Sequence, residues 1–116
     1  MDDNELLTAD DIYAAARPVL DQADELSRLL VLVALRVAQG GVHLAERRIE
    51  LAAIECQLID EGDSNGKRLS VAEATRRATV ALDGAADRAQ AHLDGLRALH
   101  EALAQRLAVL RHNNVG

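Results

Sequence analysis

Phenylalanine and tryptophan are missing from this 116-residue chain, and Tyr13 is its only aromatic residue. A core without aromatic rings must be packed from aliphatic side chains, and at 49% apolar the chain has enough of them for one domain. The same absence removes strand-forming aromatics, while abundant alanine and leucine favour helix, so the composition predicts an all-α fold. Proline is nearly absent too: Pro18 is the only one, and nothing after it forbids long helices on that ground. Cys56 is the only cysteine, which excludes an internal disulfide, and no Cys/His cluster has zinc spacing; a reducing compartment, the cytoplasm, is expected. The opening "MDDNELLTADD" is acidic and lacks a signal-peptide apolar region. The apolar run "LLVLVAL" at 29–35 falls short of the ~20 residues that span a bilayer, so no membrane partner is expected.

Charge is present but unevenly placed. Of the formal −6, residues 1–30 carry eight acids against Arg17 and Arg28, and residues 31–116 carry eleven of each sign. The acidic balance therefore leaves open an anionic partner for the C-terminal half.

The pattern predicts a single helical domain over 1–116 with an acidic disordered tail at 1–8 and a short helix at 9–17. Thr8 opens that helix, with Asp10 and Asp11 suited to the dipole of its first turn. Pro18 disfavours helical geometry at Arg17, so a kink or break is expected there. From residue 19 a heptad column of Ala23, Leu30, Val37, Leu44, Leu51 and Leu58 crosses Gly40-Gly41 without a change of phase. A turn at the glycines has no reason to keep that phase, so the spacing predicts one helix over 19–61. The alternative, a Gly-Gly turn between shorter helices, gives a three-helix bundle. A polar loop follows at 62–69, where Gly62, Asp63, Ser64, Asn65 and Gly66 favour turns. Ser70 and Glu73 form a capping-box pattern, and apolar residues from Val71 to Leu110 recur at a mean of about 3.5 residues, the period of a packed seam. These features predict a second long helix over 70–111 and a tail at 112–116. The two helices form an antiparallel hairpin with Gly40 and Gly41 facing Ala89 and Gln90, small against small. Because residues 29–35 are apolar all round, a second copy is expected to cover part of them, giving a homo-oligomer with Leu29, Leu32 and Leu35 at or near the interface.

Catalytic and metal chemistry finds little support in these residues. Glu61, Asp63, Asn65 and Gly66 match positions of a calcium loop, but Ala72 stands where its closing Glu belongs, so a solvated turn is expected. His43, Glu46 and Glu50 share a helix face without the paired Glu-x-x-His copy of a bundle metal site. Cys56, beside Ala52, Ala53 and Ile59, is expected to pack as a small hydrophobe. No Ser/His/Asp set, phosphate loop or buried carboxylate pair is present, so neither enzymatic activity nor a cofactor is expected. What remains is basic: Arg47, Arg48, Lys67, Arg68, Arg76, Arg77 and Arg88. On one helix Arg77 and Arg88 lie three turns apart on one face, about 16 Å by helical rise, a stripe able to contact phosphates. The competing expectation pairs these arginines with Glu46, Glu50, Glu73 and Asp87.

The stretch "ERRIELAAIECQLIDEG", the polar loop and the helix ending "LHEALAQRLAVL", with Arg106, resemble in layout the small phage recombination mediators of the UvsY-like kind, over residues 44–111. That resemblance implies a ring-forming helical protein of the host cytoplasm that binds single-stranded DNA and helps load a recombinase while single-strand-binding protein is displaced. This chain departs from it in having few lysines and no aromatic platform for bases, so binding here would rest on phosphates and depend strongly on salt. The competing class is a structural or adaptor protein, for example of a virion, that binds only protein. A third is the secreted helical hairpin of the actinobacterial type-seven kind, whose Trp-x-Gly turn is missing here.

Overall fold

A computed structural model of the chain describes residues 8–63 and 65–115. Among these residues the fold is all-α: α1 (Ala9–Ala16), a 3-10 turn (Arg17–Val19), α2 (Ala23–Glu61), α3 (Val71–Ala81) and α4 (Ala85–Val115). Of the tail expected at 1–8, only Thr8 lies within the described residues.

Thr8 caps α1 as its chemistry suggests. Its hydroxyl accepts from the Asp11 amide at 3.1 Å, and the Asp11 carboxylate accepts from the Thr8 amide at 3.3 Å. Pro18 breaks the chain into a 3-10 turn, and α2 starts at Ala23 rather than at 19. The Gln22 amide first closes a turn on the Val19 carbonyl, and the later start puts Asp24 and Glu25 into the first turn of α2, at the positive end of its dipole. From there α2 runs through Gly40 and Gly41 without interruption, and the Gly-Gly turn does not form.

The second half departs from one long helix over 70–111. It breaks at Leu82, Asp83 and Gly84, and the final helix continues past Arg111 to Val115. The break is a Schellman cap: the Gly84 amide bonds the Thr79 carbonyl and the Asp83 amide bonds the Val80 carbonyl, with Asp83 in the left-handed region at φ 53°. Ala78, Leu82, Ala85 and Ala89 keep helical spacing across it, which conceals the stop carried by "DG". Ser70 caps α3 through the Glu73 amide, but the Glu73 carboxylate turns to Arg76 and Arg77, because two guanidinium groups attract it more strongly than one amide.

The chain gathers into two compact units, Met1–Gly41 with Ala91–Gly116, and Val42–Gln90. In the first, Ile12 and Ala16 of α1, Leu26 and Val33 of α2, and Leu96, Leu99, Leu103 and Leu107 of α4 form an aliphatic core. Gly40 belongs to it. A methyl group added there would lie 3.3 Å from Leu93 Cδ1 and 3.8 Å from Leu96 Cδ1, so Gly40 faces leucines and not Ala89 and Gln90. The three residues spent in the turn at 82–84 displace the pairing expected of an unbroken helix. Arg106 Nε donates to the Leu20 carbonyl at 2.8 Å, tying α4 to the turn after Pro18.

In the second unit Leu44, Leu69, Ala74, Ala78 and Ala89 are buried, and Leu51, Thr79 and Leu82 line a small hollow where α2 meets α3. The loop before α3 is closed by Asp63, whose Oδ1 accepts from the amides of Asn65 and Lys67 at 2.9 and 2.8 Å. Gly62 has φ 73°, and a Cβ there would stand 2.7 Å from the Lys67 carbonyl oxygen, so this position accepts only glycine.

Candidate interaction surface

The seven basic residues singled out by sequence all fall in Val42–Gln90, and five of them are engaged by their own chain. Arg47 pairs with Glu50 at 3.0 Å, and Arg48 donates to Gln90 at 2.6 Å. Arg76 and Arg77 share Glu73, at 2.6 and 2.9 Å. Arg88 donates to the Asp83 carbonyl and lies 3.6 Å from its carboxylate. The hydrogen bond from Arg76, then that from Arg77, pulls the Glu73 carboxyl from its ordinary 4.5 down to about 2. Lys67 and Arg68 stand exposed in the loop, with no ion pair to their side chains among the described residues. The stripe expected from Arg77 to Arg88 on one helix face does not exist, because the turn at Asp83 and Gly84 puts the two residues on different helices.

The acidic and thiol candidates resolve in a similar way. Glu46 and Glu50 flank Arg47, and His43 is buried. Asp63 spends its carboxylate on loop amides. Among the described residues no group of three or more His, Cys, Asp or Glu is placed to hold a metal ion. Cys56 is exposed and not packed, and its neighbours Ala52 and Ala53 are exposed with it.

That exposed thiol belongs to a larger feature. On α2, Leu26, Val33, Gly40 and Leu44 are buried, and Leu30 and Val37 are half-buried between them. A second row, Val31, Leu35, Ala38, Val42, Ala45, Ile49, Ala52 and Cys56, repeats at alternating steps of four and three residues, and every member is exposed. Val31, Leu35, Val42 and Ile49 are 72, 53, 61 and 70% exposed. Single exposed aliphatics are ordinary, but a continuous row at the period of a helix–helix seam is not. It covers about 38 Å of α2 by helical rise. Gly41 lies beside it, with nothing within 4 Å of where a Cβ would be.

Two apolar faces on one helix also explain the hydropathy of α2. An 18-residue stretch averages 1.4, which makes α2 long and apolar enough to cross a membrane by length and composition, with 22% of that stretch buried in the protein. Of the residues expected at an oligomer interface, Leu29 packs against the core, Leu32 is half-buried and Leu35 belongs to the exposed row. The row is inconspicuous in the sequence because half of it is Ala or Cys and because the bulkier heptad column from Ala23 to Leu58 runs along the same helix.

Comparison with known proteins finds no family model, no curated protein and no solved structure that matches this chain.

Proposed function

We propose that this is a non-enzymatic, homo-oligomeric helical protein of the structural or adaptor class, whose activity is binding protein through the outer face of α2. The observation that carries this reading is the eight-residue exposed apolar row, which has the period of a helical seam and no cover among the described residues. Single-stranded DNA binding, with a recombinase or single-strand-binding protein as further partner, is the second reading. It is favoured by the positive surplus around Lys67, Arg68, Arg76 and Arg77, where Glu73 is shared by two arginines. The engagement of five of the seven cations within the chain favours the first.

One experiment sets the surfaces against each other. Light scattering and anisotropy of labelled single-stranded DNA at about 50 mM salt are recorded for the wild type, Val42→Glu/Ile49→Glu and Arg76→Gln/Arg77→Gln. The proposal expects association lost only in the Val42/Ile49 variant, and no DNA bound by any. A monomeric wild type overturns it. DNA binding that falls with salt, by roughly 0.7 in log–log slope per phosphate contact, and is lost in the arginine variant transfers the function to the second reading. A monomer that floats with phosphatidylcholine vesicles would instead assign the outer face to lipid.

A further inference from the structure

The outer row of α2 does more than offer apolar area: its large and small members are arranged in a definite order. Val31, Leu35, Val42 and Ile49 are bulky, and Ala38, Ala45, Ala52 and Cys56 are small. Resting on the self-association proposed above, we infer that α2 pairs antiparallel with α2 of a second copy about a two-fold axis passing between His43 and Leu44.

Volume selects this arrangement. About that axis Val31 meets Cys56 of the second copy, Leu35 meets Ala52, Ala38 meets Ile49, and Val42 meets Ala45. Every layer then holds one large and one small side chain, so a single interhelical distance fills all of them. Parallel pairing in register sets Leu35, Val42 and Ile49 each against itself, and Ala38, Ala45 and Ala52 each against itself. Those layers demand different helix separations at alternate steps, and a pair of helices cannot supply both. Sliding the antiparallel register by one heptad in one direction places Ala52 and Cys56 opposite Arg28 and Asp24. Sliding it in the other places Val31 opposite Asp63, beyond the end of the helix. Only the central register covers all eight positions.

The flanks agree with it. Beside the eight-residue row Gln39 lies opposite Glu46 of the second copy, Ala34 opposite Glu55, Leu32 opposite Ala53, and Gly41 opposite Arg48, with no like charges facing; only at the helix ends, beyond the row, does Glu25 face Asp60. The Gln39 oxygen already accepts from Arg36 at 2.9 Å, which sets its amide nitrogen to donate to that carboxylate. At Gly41 nothing lies within 4 Å of where a Cβ would be, so the flank facing Arg48 of the second copy is open. The apolar surface available is on the order of 600 Å² per chain, close to the ~800 Å² per partner of a standard interface.

The native thiol supplies the test. In the antiparallel pair the two Cys56 residues lie at opposite ends of the seam, about 38 Å or more apart by helical rise, and cannot form a disulfide. Val31→Cys brings a second thiol opposite Cys56 of the other copy. Under mild oxidation the full-length variant is expected to give a covalent dimer joined through positions 31 and 56, identified by peptide mass spectrometry. Wild type and Val31→Cys/Cys56→Ser are expected to give none. Position 31 is 72% exposed, so the variant should fold like wild type, and circular dichroism checks it. A dimer cross-linked through 56 and 56 in the wild type, or a scattering dimer that yields no link between 31 and 56, overturns the antiparallel register and leaves self-association standing. A monomer in scattering overturns both.

Discussion

The two faces of α2 carry the same heptad and meet opposite fates. The inner row, Leu26, Leu30, Val33, Val37 and Gly40, is closed by the leucines of α4 and by α1, while the outer row from Val31 to Cys56 is open to solvent. Periodicity therefore identifies a seam but does not say which chain fills it. What separates the faces is bulk: the inner one uses leucine and valine with a glycine where Leu93 intrudes, and the outer one alternates bulk with alanine. The first pattern suits a partner of fixed different sequence, and the second suits a reversed copy of itself.

The sharpest way to break this comparison is to truncate one residue on each face. Leu26 is fully buried, so Leu26→Ala should cost about 2–5 kcal/mol in urea unfolding. Ile49→Ala on the outer face should cost within about 0.5 kcal/mol when the protein is dilute and monomeric. Its deficit should grow with protein concentration as wild type gains from association. Equal costs at high dilution would mean that the outer face is already covered within one chain.

A second prediction concerns the turn between α3 and α4. Asp83 holds φ 53°, a conformation that costs a residue with a Cβ more than it costs glycine. Asp83→Gly should raise stability by up to about 1 kcal/mol, read as a higher urea midpoint at unchanged slope. A loss would show that the 3.6 Å contact of Arg88 with the Asp83 carboxylate outweighs the backbone strain.

The adjacent glycines test the two faces at a finer scale. Gly41→Ala has open space and should stabilise isolated α2 by up to ~1 kcal/mol, whereas Gly40→Ala must displace Leu93 Cδ1 from 3.3 Å and should gain less or lose. If the inferred pairing holds, Gly41→Ala should also weaken association while raising the stability of the dilute chain. Melting curves at two protein concentrations separate these effects.

The smallest effect is electrostatic. The carboxyl of Glu73 is held below its unfolded value by Arg76 and Arg77, so it binds a proton less readily in the folded chain. Its contribution to stability is present above the ordinary value of 4.5 and is lost as pH falls toward about 2. A carboxyl resonance of Glu73 titrating near 2 by NMR is expected, and a midpoint near 4.5 would show that the pairs to both arginines are not held in solution.

Much of the fold could be read from the sequence because its signals were local and agreed with each other. The cap at Thr8 and the interruption at Pro18 were carried by one or two residues each, and the heptad phase kept across Gly40-Gly41 favoured the continuous helix over a turn. The turn at Asp83 was harder, since Ala78, Leu82, Ala85 and Ala89 kept helical spacing across a non-helical segment and outweighed a two-residue stop. The candidate surface was harder still. Apolarity all round residues 29–35 indicated that something must cover α2, but which residues stay open depends on where α1 and α4 lie, and that is decided by tertiary packing. Leu29 turned inward to the core and Leu35 outward, six residues apart.

The most direct test of the central claim, that the outer face of α2 is where this protein binds a second copy, uses the rate at which Cys56 is alkylated. The thiol is exposed in the single chain and lies on the row that association should cover. Alkylation measured from nanomolar to tens of micromolar protein should slow as light scattering reports mass rising above 12.5 kDa, and Val42→Glu/Ile49→Glu should abolish both changes together. A rate that stays constant while the mass rises would place the interface elsewhere and contradict the account.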